Sequence, residues 1–280
     1  MADLSKVLFI GAEGMAGSYV DFGIRPPESE LNVTDRRAVF SHFERYLPSH
    51  VVHLAAETDL EVCEKDPDRA YEVNTLGTYH VAQACRKYGA KLIYISTAGV
   101  FDGEKPTPYT EEDIPRPRNM YGKTKYFGEM IVRDTVPNHL IIRTCWVFGG
   151  GPKKDKKFVA KIIRQLNQPE IRAVDDKFGS PCYWKDLVAR IRSLIVEDAE
   201  GTIHLANEGA ASRFDVAKAV VEILNMPVRV VPVSSEYFGF GVKRANSEVL
   251  ASKTGFLRPW REALAEYLNE EWKGHIPNPA

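Results

Sequence analysis

At 280 residues the chain is long enough for one large domain, or for a domain with a smaller annex, and can bury a substantial core. Its 37 basic and 38 acidic side chains nearly cancel, so no global field recruits nucleic acid or an anionic membrane, and any anionic ligand must be met locally. No apolar run approaches the ~20 residues that insert across a bilayer. The opening MADLSKVLFIG lacks the apolar segment of a signal peptide, and Cys63, Cys85, Cys145 and Cys182 form no CxxC pair; reduced thiols in a cytoplasmic protein are expected.

In chain order, the first expected strand is Val7 to Ile10, running straight into Gly11-Ala-Glu-Gly14-Met-Ala-Gly17. Glycines at this spacing on a strand-to-helix turn suit a dinucleotide: the first permits the tight turn, the second lets backbone approach a pyrophosphate, and the third allows close packing. The helix that follows should offer amide donors and its dipole to the phosphates. Only 14 residues separate Gly17 from Asn32, whereas a helix, a turn and a second strand take ~25. The first helix is therefore expected to be cut to about two turns, unless chain is missing there. No acid stands at the usual ribose position, where the sequence reads Arg25-Pro-Pro-Glu28-Ser-Glu30.

Continuous apolar runs at Val51 to Leu54, Lys91 to Ile95 and Leu140 to Arg143 read as strands covered on both faces. Between them, Asp66 to Tyr88 and Tyr121 to Val136 carry apolar residues at helical spacing. The expected fold is α/β, a Rossmann-type doubly wound parallel sheet. Beyond Gly149 a helix from Phe158 to Asn167, a short strand from Ile171 to Val174 and a packing helix from Trp260 to Trp272 make a smaller lobe. Residues 1–150 are thus mainly a dinucleotide-binding core, and 151–280 mainly a substrate-binding lobe with excursions back to the sheet.

Tyr121-Gly-Lys-Thr-Lys125 places a phenol and an ammonium four residues apart on one helix face. A free phenol titrates near ~10, and an adjacent cation favours phenolate and brings it toward the useful range. The strand ending in Ser96-Thr97 adds a hydroxyl at the edge where ligands of parallel sheets bind. The Lys153 to Lys157 run reads as a solvated loop, His53 as a hydrogen-bonded core residue, and none of the seven histidines has metal-ligand spacing, so no metal is expected.

Glycine turn, hydroxyl strand end and YxxxK occur in the order of the short-chain dehydrogenases. Over nearly its whole length the chain resembles the dTDP-4-dehydrorhamnose reductase family of extended short-chain dehydrogenases. The stretches that carry the likeness are His53-Leu-Ala-Ala-Glu-Thr58, Ile95-Ser-Thr-Ala-Gly-Val-Phe-Asp-Gly103, Pro117-Arg-Asn-Met-Tyr-Gly-Lys-Thr-Lys125, Arg143-Thr-Cys-Trp-Val-Phe-Gly149, Phe178-Gly-Ser-Pro181 and His204-Leu-Ala-Asn-Glu-Gly209. The resemblance implies Thr97, Tyr121 and Lys125 as the catalytic trio, and Thr97, Ala98 and Trp146 as contacts to a nucleotide-linked sugar. It implies NADP(H) or NAD(H) as cofactor, met by Gly11, Gly14, Met15, Ala16 and Gly17 at the pyrophosphate, and by Asn32 and Val33 at the adenine. Ala56, Glu57, Thr58 and Ile95 would line the cofactor's middle, and Tyr121 and Lys125 its nicotinamide end.

The expected activity is reduction of the keto group of a nucleotide-linked 4-keto-6-deoxy sugar by a cytoplasmic enzyme, with a homodimer as the expected assembly. Another carbonyl substrate altogether is allowed by the altered sugar site, and two further alternatives stay open. One is an epimerase or dehydratase of the same superfamily, although a dehydratase would place acids directly after Thr97. The other is a non-catalytic subunit resembling the regulatory subunit of methionine adenosyltransferase. The family usually reads Ser-Thr-Asp-Tyr-Val-Phe where this chain has Ser96-Thr97-Ala98-Gly99-Val100-Phe101, so a carboxylate and a phenol are missing beside the sugar position.

Overall fold

The computed structural model describes residues 2–277. Its strands are β1 (Val7–Ile10), β2 (His50–His53), β3 (Lys91–Thr97), β4 (His139–Thr144), β5 (Glu170–Val174), β6 (Gly201–His204) and β7 (Arg229–Val233). The main helices are α1 (Arg36–Tyr46), α2 (Leu60–Lys65), α3 (Pro67–Tyr71), α4 (Gly77–Tyr88), α5 (Met120–Thr135), α6 (Phe158–Ile163), α7 (Trp184–Val196), α8 (Arg213–Ile223) and α9 (Trp260–Glu271). Strands β1, β2, β3, β4 and β6 lie side by side in that order, every pair parallel. This is the Rossmann-like sheet that the alternation implied.

Its apolar strands are continuous because both faces are covered. Val7, Phe9, Ile93, Ile95 and Ile142 pack with Leu187, Ile191 and Leu194 of α7. Leu8, Ile10, Leu92, Tyr94 and Ile141 pack with Val39 and Phe43 of α1, Val81 of α4 and Val132 of α5. Residues beyond 150 therefore contribute both to this sheet, through α7 and β6, and to a separate core. In that second core α9 supplies Trp260, Leu264, Tyr267 and Leu268 against Val216 and Val220 of α8, and β5 pairs in parallel with β7. The strand β6 and the helices α1, α7 and α8 were not anticipated; Gly201-Thr-Ile-His204 is too short to show a period.

The first crossover is shorter than expected. In place of about two helical turns there is a single 3₁₀ turn, Ala16–Tyr19. The second strand is reduced to Ile24, whose amide donates to the Val7 carbonyl and whose carbonyl accepts from Phe9, both at 2.8 Å. Gly23 admits this return with φ +73°, since a methyl group there would lie 2.4 Å from the Val7 oxygen. Pro26 and Pro27 follow at once and cannot donate to a ladder.

The expected helix over 66–88 forms from Pro67 to Tyr88, with Asp66 capping it through the Arg69 amide. A π turn, Glu72–Leu76, interrupts it, and this turn holds Asn74 inside the protein with no exposed surface.

Candidate active site

The glycine turn sits at the carboxyl end of β1, beside the chain leaving β2. Gly11 has φ +85°, and a methyl group on it would lie 2.5 Å from the Ala55 amide nitrogen. Gly17 is tighter still, at 1.6 Å from the Ala12 oxygen. A methyl group on Gly14 would meet only the Gly11 oxygen, at 3.9 Å, and among the described residues the amides of Glu13, Gly14 and Met15 make no hydrogen bond of normal geometry to a protein group. These free N–H groups form a concavity fit for a pyrophosphate. The helix dipole expected to assist them is absent, because four residues of 3₁₀ turn carry no macrodipole.

The other sequence candidates for this site are divided. Thr58, Ala56 and Glu57 line the chain after β2, with the Glu57 amide and carbonyl held by the Asn74 carboxamide at 2.8 and 3.0 Å. Ile95 and the methyl of Ala16 are buried in the core beneath α7. Val33 is likewise buried, and its carbonyl meets His80 at 2.9 Å, while Asn32 caps Thr34.

Tyr121, Lys125 and Glu129 occupy one face of α5 at four-residue steps. The Thr97 hydroxyl accepts from the Gly99 amide at 3.0 Å and neighbours the Tyr121 phenol. Burial holds that phenol well above its usual range, although the neighbouring Thr97 hydroxyl favours the phenolate. The lowering by Lys125 that the sequence suggested does not show in the free protein, where desolvation is the largest influence on the phenol.

Lys125 is 3% exposed, and its ammonium lies 4.1 Å from the centroid of the Tyr94 ring. Burial lowers its pKa to about 7, against the raising influence of Glu129. Glu129 has no exposed surface and accepts from Ser96 at 2.6 Å, Arg143 at 2.8 and 2.9 Å and Arg133 at 2.5 Å. Gly128 makes room for this arrangement, since a methyl group there would strike the Tyr94 hydroxyl. His53, fully buried and bonded to Thr78 at 3.1 Å, is driven down to about 3 by burial and by Lys125; it is the neutral core residue expected.

Sequence reasoning missed Asn74 and Glu129. Asn74 ties the chain after β2 to α5 through Thr124 at 3.0 Å, and the only sign of Glu129 was its place two steps beyond Tyr121 on the same helical face. Lys157 was also misjudged as solvated. Its ammonium donates to Thr58 at 2.8 Å, and burial lowers its pKa, whereas Lys153, Lys154 and Lys156 are exposed.

Trp146 follows β4 with a backbone φ of +39°. A side chain on Gly179 would fall 2.4 Å from its ring, its indole donates to Glu248 at 2.7 Å, and the Arg213 guanidinium lies 3.6 Å from the ring centroid. Ala98 requires a correction. Its methyl has no exposed surface and packs among Val100, Phe101, Tyr109, Cys145 and Leu250, so it faces a core cluster and not a ligand.

The family description "RmlD substrate binding domain" fits residues 6–272. The chain is 39% identical over 293 residues to dTDP-4-dehydrorhamnose reductase of Mycobacterium tuberculosis (strain CDC 1551 / Oshkosh), covering 96% of this chain and 94% of that protein. It is 35% identical over 280 residues to the spore coat polysaccharide biosynthesis protein SpsK of Bacillus subtilis (strain 168), covering 95% and 98%. Among solved structures, dTDP-4-dehydrorhamnose reductase from Bacillus anthracis in complex with NADP superposes with a TM-score of 0.89 at 35% identity, over 94% of this chain and 98% of that one. The chain belongs to the dTDP-4-dehydrorhamnose reductase family.

Proposed function

We propose that this protein reduces the keto group of a nucleotide-linked 4-keto-6-deoxy sugar with NADPH or NADH. The observation that carries the reading is the placement of Thr97, at the end of β3, against the first turn of α5, which carries Tyr121 with Lys125 one turn behind it, at the same edge of the sheet as the glycine turn. The dinucleotide supplies a hydride when bound. The free amides at 13–15 and the space over Gly14 suit its pyrophosphate, and Lys157 and Arg213 bring positive charge to the cleft for the sugar nucleotide.

Tyr121, a protonated phenol at neutral pH, donates its proton to the carbonyl oxygen as negative charge develops there. Thr97 orients that phenol through its own hydroxyl. The charge left on the Tyr121 oxygen is stabilised by the Lys125 ammonium, which Glu129 helps keep protonated. Trp146 packs against the sugar on the far side of the cleft. Assay of NADPH and NADH oxidation against a panel of dTDP- and UDP-linked 4-keto sugars tests the reading: oxidation that depends on the keto sugar supports it, and no oxidation with any member refutes it.

The assembly we propose is a homodimer. Tyr71 and Phe127 stand edge to face, with ring centroids 6.3 Å apart, and both are exposed beside the equally exposed Leu76 and Met130 on neighbouring helical segments. Sedimentation equilibrium would detect it, and a monomer at micromolar concentration would refute it. No helix among the described residues is long and apolar enough to cross a membrane. The four cysteines are buried and unpaired, which supports the cytoplasm as the working compartment.

A further inference from the structure

Glu248 brings a carboxylate into the cleft from the far end of the chain. It lies on the two-residue strand Ser247–Glu248, which runs parallel to Phe178–Gly179. That strand ends a strap laid from the lobe across the catalytic edge of the sheet. Asn119 donates to the Lys243 carbonyl at 3.1 Å, Arg244 pairs with Glu61 at 3.1 Å, and Ala245 lies 2.5 Å from where a methyl group on Gly103 would be. The strap thus fixes Glu248 relative to the first turn of α5, which carries Tyr121.

The two carboxylate oxygens differ. Oε2 accepts the Trp146 indole, whereas Oε1 accepts no hydrogen bond among the described residues. Oε1 faces the gap over Gly99, where the first carbon of a side chain would lie 3.5 Å from it and 3.4 Å from the Thr97 hydroxyl oxygen. The Thr97 hydroxyl oxygen and this free oxygen thus both border the space over Gly99, which admits at least a methyl group. It is the point from which the family's phenol side chain would start.

We propose that Glu248 is a substrate-selecting residue: its Oε1 accepts a hydrogen bond from a hydroxyl on the sugar carbon next to the reacting carbonyl, in the room left by Gly99. The proposal rests on the reading of the chain as a keto-sugar reductase. Burial raises the Glu248 carboxyl, while Arg213, Arg244 and the Trp146 indole favour its ionised form. A carboxylate held this way makes a strong, directional acceptor. It disfavours a sugar lacking the hydroxyl, because that ligand would bury Oε1 without a hydrogen-bond donor.

The test is calorimetric titration of the NADP-loaded protein with dTDP, dTDP-rhamnose and its analogue lacking the hydroxyl beside C4, using wild type, Glu248→Gln and Gly99→Ala. Glu248→Gln keeps size and an oxygen for Trp146; Gly99→Ala fills the space over Gly99 and leaves Glu248 intact. Both variants are expected to bind dTDP-rhamnose roughly ten- to a hundredfold more weakly, to bind dTDP as wild type does, and to lose the preference over the deoxy analogue. Unchanged affinity for dTDP-rhamnose, or equal weakening for dTDP and dTDP-rhamnose, would overturn the proposal. If wild type binds the sugar in this Glu248-dependent way and yet oxidises NADPH with no keto sugar, the selecting role stands and the reductase reading falls.

Discussion

Gly122 lies so close to Gly99 that a methyl group at 122 would sit 2.2 Å from the Gly99 carbonyl oxygen. That approach sets how deeply the first turn of α5 enters the end of β3. It brings Tyr121, in the first turn of α5, beside the Thr97 end of β3. Asn119 completes the joint by capping the helix through the Gly122 amide at 2.9 Å.

Gly122→Ala should therefore push α5 outward. Overpacking of this kind costs about 1–3 kcal/mol, and the displaced phenol should lower kcat by roughly tenfold or more. NADP affinity, which depends on the glycine turn, should change little. Thermal unfolding with steady-state kinetics checks this; a wild-type kcat in a fully folded variant would show that the contact does not position Tyr121.

Tyr121→Phe removes the proton donor and leaves the aromatic bulk in place. Turnover is expected to fall by roughly a hundredfold or more, with cofactor affinity nearly unchanged. Rate measurements under saturating cofactor and sugar decide it.

Lys125 sets activity against stability. Its pKa of about 7 in the fold stands below the ordinary 10.5, so between these values the unfolded chain binds more protons, and the stability of the ligand-free protein rises with pH across that window. Lys125→Met should reduce this slope to the part that Lys157, also lowered by burial, contributes, raise stability by about 1–2 kcal/mol near pH 7, and abolish most turnover. Melting temperatures recorded between about pH 6 and 9 should rise more steeply with pH in wild type than in the variant.

Glu129→Gln should act twice. It leaves Arg143, 2% exposed, without its buried counter-charge, which costs about 3–5 kcal/mol. It also withdraws the charge that raises the Lys125 pKa, so the alkaline limb of the rate profile should move to lower pH. A folded variant with an unmoved profile would detach Glu129 from Lys125.

Local order carried much of this architecture in the sequence. Tyr121 and Lys125 were legible because helical spacing alone puts them on one face, and the glycine turn because it follows an apolar strand. The 3₁₀ turn at 16–19 was half legible: the short span to Asn32 showed that a full helix could not fit unless chain was missing there, but not that the whole helix, and with it the dipole, would go. Ala98 was misplaced because strand-end residues alternate sides, and the 3₁₀ turn that follows, Ala98–Val100, rotates its methyl into the core. Asn74 depends on a π turn that no apolar period announces. Glu248 is 102 residues from Trp146, a pairing made only by the strap, and local spacing carries no trace of it.

The most direct test of the central claim is the change in nicotinamide absorbance when NADPH or NADH is mixed with wild type or Tyr121→Phe protein and a panel of nucleotide-linked 4-keto-6-deoxy sugars that includes dTDP-4-dehydrorhamnose. The account predicts oxidation that requires the keto sugar and is roughly a hundredfold slower in the Tyr121→Phe protein. Oxidation of neither nucleotide with any sugar, or equal rates in the two proteins, would contradict it.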